Sequence, residues 1–416
     1  MKRICRLLLL FFTLHALIFL PVPFILTPAT TLAQGEVTVI SSDALAQFPT
    51  AITFSLEAEA ATEIADIDLE YRLGRRSLTP VSCRVDVDFT PGQQVEASWT
   101  WDMLDTGGLP PGTEVDYWWL IEDAAGHQIE TSPTKVEFDD LSHNWQSLES
   151  DQLTTLWYKG DLAFAQELLG AADAALERLS GEVGVALEQP VKIYIYASSQ
   201  DLQGALVYPQ EWTGGVAFPD YGTIIIGISP GDLAWGKRAI AHEMGHMVVH
   251  PRVFGAYGDL PTWLDEGLAM DAEGELRSDL KVLLYEAITH DTLFSVRTLA
   301  SSFPADPDEA RLSYAESYSL VQFLIDSYGS DRILALLDVF KEGSTYDEAL
   351  LEIYSFDMDG LNALWRESLG LGPQPLPIPA ETVSDITLPY IALIVVVAIL
   401  GILTAYLALS YRRRLR

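Results

Sequence analysis

Apolar and polar positions change rhythm along this chain. Between Glu36 and Asp140 the apolar residues come in short, mostly alternating runs, at Ala51–Ala58, Ile64–Leu73, Ser82–Phe89, Val95–Trp101, Glu114–Asp123 and Thr134–Phe138. Turn-forming segments separate them, among them Thr90-Pro91-Gly92 and Leu109-Pro110-Pro111-Gly112. A period of two places alternate side chains on one face of a strand, so this region predicts a series of short strands. Beyond about Trp145 the period lengthens. Leu162, Leu169, Ala172, Leu176 and Leu179 fall on one stripe of a helix over Asp161–Leu179. Val191–Tyr196 and Thr223–Ile228 read as strands. Helices are predicted over Trp235–Val249, Trp263–Glu273, Asp279–Thr289, Tyr314–Tyr328, Asp331–Phe340, Tyr346–Ile353 and Leu361–Leu369.

Six or seven strands over residues 36–140 suit an all-β sandwich of the immunoglobulin or fibronectin type. The Tyr117–Ile121 segment, with Trp118 and Trp119, reads as a late strand of such a module, and a spacer or substrate-presenting role is its default. Strands first and helices later over residues 145–371 suit an α+β domain, with a sheet-bearing lobe and a helical lobe around a cleft.

The two ends follow a different logic. Lys2, Arg3 and Arg6 precede the apolar run Leu7–Leu20, and Thr31-Leu32-Ala33 offers small residues for cleavage. Residues 1–33 are therefore expected to be a secretory signal peptide. Residues 388–410 form an uncharged apolar stretch long enough for a transmembrane helix, given the roughly 20 residues such a helix needs. Arg412, Arg413, Arg414 and Arg416 follow it, which assigns residues 411–416 to the cytoplasm. The Pro-rich segment 372–387 would be an extended stalk. This predicts a single-pass type I protein of the cell membrane with an extracytoplasmic body.

Charge narrows the partners. The chain carries 25 Lys+Arg against 59 Asp+Glu, a formal net charge of −34. Such a field opposes binding to nucleic acid. Of its two cysteines, Cys5 leaves with the signal peptide, so Cys83 has no intrachain partner.

The most specific chemistry lies in His242-Glu243-Met244-Gly245-His246 and, 20 residues on, Glu266 within Trp263-Leu264-Asp265-Glu266-Gly267-Leu268-Ala269. Two histidines four apart share a helix face, one turn from each other, so both imidazoles can reach one ion. Glu243 is rotated about 100° around the axis and can sit beside the ion rather than on it. Two His and one Glu leave a fourth tetrahedral position open, the pattern of a catalytic zinc site. The flanking Ala239, Ile240, Ala241, Met247, Val248 and Val249 suit a buried helix, where unpaired histidines and a glutamate would be costly.

These motifs resemble the glutamate-zincins, the class that includes thermolysin-like and aminopeptidase-N-like peptidases, and residues 145–371 resemble the peptidase MA-like domain of bacterial surface proteins. The resemblance implies one Zn2+ held by His242, His246 and Glu266, with Glu243 as general base, acting on a peptide or protein substrate. It also implies a tyrosine that donates to the oxyanion. Tyr314, in Leu312-Ser313-Tyr314-Ala315-Glu316-Ser317-Tyr318, matches that residue, although Glu316-Ser317 stands where the family has Lys-Gly; Tyr318 is the alternative. The Gly-x-Met-Glu-Asn segment by which aminopeptidase-N-like enzymes grip a free amine is absent, so endo- and exopeptidase stay open.

Other residues carry weaker expectations. Asp265 and Asp271 are candidates to hold the imidazoles from behind. His250 and His290 suit helix ends. Gly214 and Gly215 would let another chain approach a sheet edge, or form a plain turn. A short apolar stretch flanked by Lys237 and Arg238 excludes an intramembrane protease. The alternative from another class is a catalytically inactive zincin-fold adhesion or scaffold protein.

Overall fold

A computed structural model describes residues 37–374 apart from residues 183, 185 and 210–213. The expected signal peptide, the stalk beyond residue 374, the membrane span and the basic tail lie outside the described residues. Among the described residues no helix is long and apolar enough to cross a membrane.

The N-terminal strands are β1 (Thr38–Gln47), β2 (Ala51–Leu73), β3 (Ser82–Asp86), β4 (Gly92–Asp102), β5 (Thr113–Asp123), β6 (Gln128–Glu130) and β7 (Thr134–Phe138). The two strands expected at 51–58 and 64–73 are one, because Ala60-Ala61-Thr62-Glu63 contains no breaker and extended backbone continues through it. A register shift after Glu59 redirects it. Before the shift β2 pairs with β1 and β4; after it, with β3 and β5. The two halves face each other. Phe54 of the first meets Tyr117 of β5 at 5.0 Å, and Tyr71 of the second meets Trp101 of β4 at 4.6 Å between ring centroids. The result is two layers around an apolar core, joined through one hydrogen-bonded seven-stranded sheet.

A five-stranded sheet follows, from β8 (Gln146–Glu149), β9 (Leu153–Trp157), β10 (Val191–Tyr196), β11 (Gly215–Phe218) and β12 (Thr223–Gly227), in the order β11-β12-β10-β9-β8. Its inner strands β9, β10 and β12 run parallel, and β8 and β11 are antiparallel edges. Strands β8, β9 and β11 are too short to show a period in sequence. Strand β10 is buried apart from Lys192 because both faces are covered. Ile193 and Ile195 join the helical core. Tyr194 and Tyr196 face the sandwich, where their hydroxyls donate to Asp139 and Asp140, each at 3.0 Å.

The helices are α1 (Leu162–Glu182), α2 (Ser199–Gly204), α3 (Leu233–Val253), α4 (Thr262–Glu273), α5 (Ser278–His290), α6 (Val296–Leu299), α7 (Pro307–Tyr328), α8 (Ser330–Lys341), α9 (Tyr346–Tyr354) and α10 (Met358–Ser368). Helix α7 starts seven residues earlier than its apolar pattern suggests. Asp306 caps it by accepting from the backbone N–H groups of Asp308 and Glu309, and Pro307 occupies the first turn. Tyr314 therefore lies inside α7 rather than at its opening. Helices α1 and α3 pack on the Ile193 face of the sheet, and α4 and α7 extend the same core.

Candidate metal centre and cleft

Helix α3 carries His242, Glu243 and His246, and α4 carries Asp265, Glu266 and Glu273. Two glycines set how closely the helices meet. A Cβ on Gly245 would lie 2.6 Å from Ala269 Cα, so α3 and α4 touch backbone to backbone there. Gly267 plays the same part toward α7, not toward α3, since its Cβ would lie 2.6 Å from the Ser317 carbonyl oxygen. This stacking brings Glu266 beneath the paired histidines.

The imidazole tautomers follow from their partners. His242 Nδ1 lies 3.0 Å from Glu273 Oε1, and His246 Nδ1 lies 3.0 Å from Asp265 Oδ1. A carboxylate only accepts, so each Nδ1 carries a proton and donates it. When the rings are neutral, both Nε2 atoms present lone pairs. Those atoms stand 3.2 Å and 3.7 Å from Glu266 Oε2, which is buried and accepts no well-formed hydrogen bond. Three electron-pair donors thus converge with no proton assigned between them. Burial opposes charging the two rings, yet Glu266 and Glu273 at His242, and Asp265 at His246, draw both pKa values above the ordinary histidine range. The site has an unmet demand for positive charge, and nitrogen and oxygen donors within 4.8 Å of one another are what a zinc ion takes. The residues present therefore fit the metal.

Glu243 sits beside this cluster. Burial pushes its carboxyl above the usual range, against the pull of the two imidazoles, and the Ala217 backbone N–H bonds to it. That bond ties it to edge strand β11. A Cβ on Gly215 of the same strand would come within 2.9 Å of Glu243 Oε1, so glycine leaves room for the carboxylate. The Gly214-Gly215 pair thus belongs to the cleft wall, with Gly215 opening β11, and is not a plain turn.

The cleft has a volume of about 470 Å³, and His242, Glu243, Tyr314, Val216, Trp235 and Arg238 are among its lining residues. Tyr314 packs edge-on to His242 at 6.0 Å and to Phe303 at 5.1 Å. Burial first, then the Glu266 and Glu243 carboxylates, raise its phenol pKa, so it remains a proton donor at neutral pH. Tyr318 is not among the residues that line this cleft; it packs beside Met270, Leu276 and Leu280.

Several residues do something other than expected. Asp271 does not reach an imidazole; Gln322 Nε2 donates to it at 2.7 Å. Glu273 takes that position instead. Its signal was present, because it lies seven residues after Glu266, two turns along one helix face. His250 lies in the last turn of α3, as a helix-end role requires, and its Nε2 also approaches both oxygens of Asp265 at 3.1 Å, so two histidines share that carboxylate. His290 Nδ1 lies 2.9 Å from the Glu286 carbonyl at the end of α5, as a capping role requires. Glu316 faces away from the cleft, into the protein, where it accepts from the Phe294 backbone N–H.

Residues 171–370 match the family model described as the Peptidase MA superfamily. No curated protein matches the chain. Among solved structures, an M1 zinc metallopeptidase variant from Deinococcus radiodurans bound to a Tyr-Ser-Ala substrate shares 14% identity, covering 84% of this chain and 97% of that one, with a TM-score of 0.37. OgpA from Akkermansia muciniphila shares 15% identity over 27% of this chain, TM-score 0.20, and the match spans only 31% of that enzyme. A family 56 carbohydrate-binding module, a β-1,3-glucan binding domain, shares 13% over 24% of this chain and 99% of its own length, TM-score 0.16. Likenesses at this level carry no argument about activity. The family match, spanning both imidazoles and all three carboxylates of the cluster, supports a zincin-like peptidase domain of the Peptidase MA superfamily over residues 171–370.

Proposed function

We propose that this protein is a zinc-dependent peptidase of the glutamate-zincin type, with His242, His246 and Glu266 as metal ligands and Glu243 as general base. The observation that carries the reading is the convergence of both Nε2 lone pairs and Glu266 Oε2 on one point, beside the Glu243 carboxyl. Zinc bound there would supply Lewis acidity toward water and toward the peptide carbonyl. Glu243 accepts a proton from the attacking water and returns it to the leaving amine, so the peptide C–N bond breaks and one water is consumed. Its raised pKa suits a group that must both take and give a proton. Tyr314 donates its phenolic proton in a hydrogen bond to the oxygen that gains charge. Strand β11 offers an extended peptide a sheet edge beside the base. The residues at 1–33 and 388–416 support an extracytoplasmic body on a membrane tether.

Metal analysis and cleavage of a mixed peptide pool test the reading, comparing the native protein with Glu243→Gln. The variant is expected to keep zinc and to lose at least about a hundredfold in turnover. A zinc-free native protein, or equal cleavage by both, would leave the inactive-scaffold alternative in its place.

A further inference from the structure

The cleft of this acidic protein is lined by three arginines, Arg238, Arg277 and Arg311. Two of them are already neutralised. Arg277 makes a two-pronged contact with Asp279 at 3.0 Å and 2.7 Å, and Arg311 reaches the same carboxylate at 2.9 Å and Asp308 at 3.4 Å. Arg238 differs. Its Nε is buried with no hydrogen-bond partner, and among the described residues no carboxylate stands in ion-pair range of it. The acidic groups nearby are committed elsewhere: Glu273 holds His242 Nδ1, and Glu243 takes the Ala217 N–H. A guanidinium whose inner nitrogen has left water without a partner bears a desolvation cost that an incoming anion would offset.

Its position says what the anion serves. Arg238 precedes His242 by four residues on α3, so it sits on the same helix face about 6 Å along the axis from that histidine. An extended peptide advances about 3.3 Å per residue, so a group bound by Arg238 belongs to a residue within two or three of the bond being cut. Trp235 and the glycines Gly214 and Gly215 line the same cleft, Gly214 lying close against Trp235 and Gly215 against Glu243.

We infer that Arg238 is a specificity-determining residue that binds a substrate carboxylate close to the scissile bond. The chemistry is a planar carboxylate against a planar guanidinium, whether it comes from the peptide's own C-terminus or from an Asp or Glu side chain. The inference rests on the peptidase reading and deepens it by naming the substrate class.

The test uses the zinc-loaded full-length chain and two series of matched neutral peptides. One series differs only in a terminal carboxylate against a carboxamide. The other differs in Glu against Gln scanned along an amidated backbone. In one series the carboxylate member is expected to be cleaved about tenfold better or more, chiefly through KM. Arg238→Gln should shrink that ratio to about one, and Arg238→Lys should restore part of it, since the charge returns without the planar fork. Calorimetric binding of the same pairs to Glu243→Gln protein gives a readout that needs no turnover. Native protein that cleaves both members of every pair equally overturns the inference while leaving the peptidase reading intact; so does a preference that survives in Arg238→Gln. If nothing is cleaved but Glu243→Gln protein binds carboxylate peptides through Arg238, the peptidase reading falls and the carboxylate site stands.

Discussion

At the scale of single residues, the cluster depends on groups behind the proposed ligands as much as on those ligands. Glu273 fixes the tautomer and aim of His242, and Asp265 does so for His246. Glu273→Gln is expected to weaken zinc binding about 10- to 100-fold, read by competition with a chelating dye, while the fold persists. Unchanged affinity would show that the ring is held by packing alone. Glu316 gives a second test, of stability rather than activity. Burial pushes its carboxyl up to about 9 from 4.5, against the Phe294 N–H and Arg366. Between those two values the folded chain keeps a proton that the unfolded chain has released. Stability therefore falls as pH rises through that window and is fully present only below it. Glu316→Gln has no proton to lose. It should raise Tm by a few degrees near pH 8 and change it little near pH 4; an equal shift at both would show that Glu316 stays neutral for no cost.

At the scale of elements, the site is a stack of helices spaced by absent side chains. Gly245 lets α3 press on α4, and Gly267 lets α4 press on α7. Widening the first contact should move Glu266 away from the imidazoles. Gly245→Val is therefore expected to cost about 1–3 kcal/mol or more from overpacking and to lower zinc occupancy along with Tm. A fall in Tm at full occupancy would mean that the ligands are positioned by something other than this spacing. The helix boundaries also show where periodicity misleads. Apolar spacing located α7 only from Tyr314 onward, because its first two turns are polar and are specified by the Asp306 cap and Pro307 instead. Strand β2 was divided for the converse reason: its inward stripe is interrupted at 60–63, while its extended backbone is not.

At the scale of the whole molecule, a β sandwich is fixed to the face of the five-stranded sheet opposite α1 and α3, where the short helix α2 also packs. Tyr194 and Tyr196 project from β10 through an aromatic layer with Trp145 and Tyr158, and end on Asp139 and Asp140 just beyond β7. The cleft proposed as the active site opens where edge strand β11 meets α3. The net charge of −34 spreads over a surface whose cleft nonetheless holds three arginines. The order of strands then helices was legible along the chain, and so was the grouping of His242, Glu243 and His246, because a helix's own geometry decides which of its residues share a face. Glu266 was legible as a ligand type at a suitable separation. What the chain alone left open is every relation between elements: which carboxylate backs which imidazole, that Asp271 turns to Gln322 while Glu273 turns to His242, and that Arg238 Nε is buried with no hydrogen-bond partner among the described residues. Local spacing is set by covalent geometry, whereas contacts across helices depend on how side chains of several segments fill one space, and only the packed structure decides that.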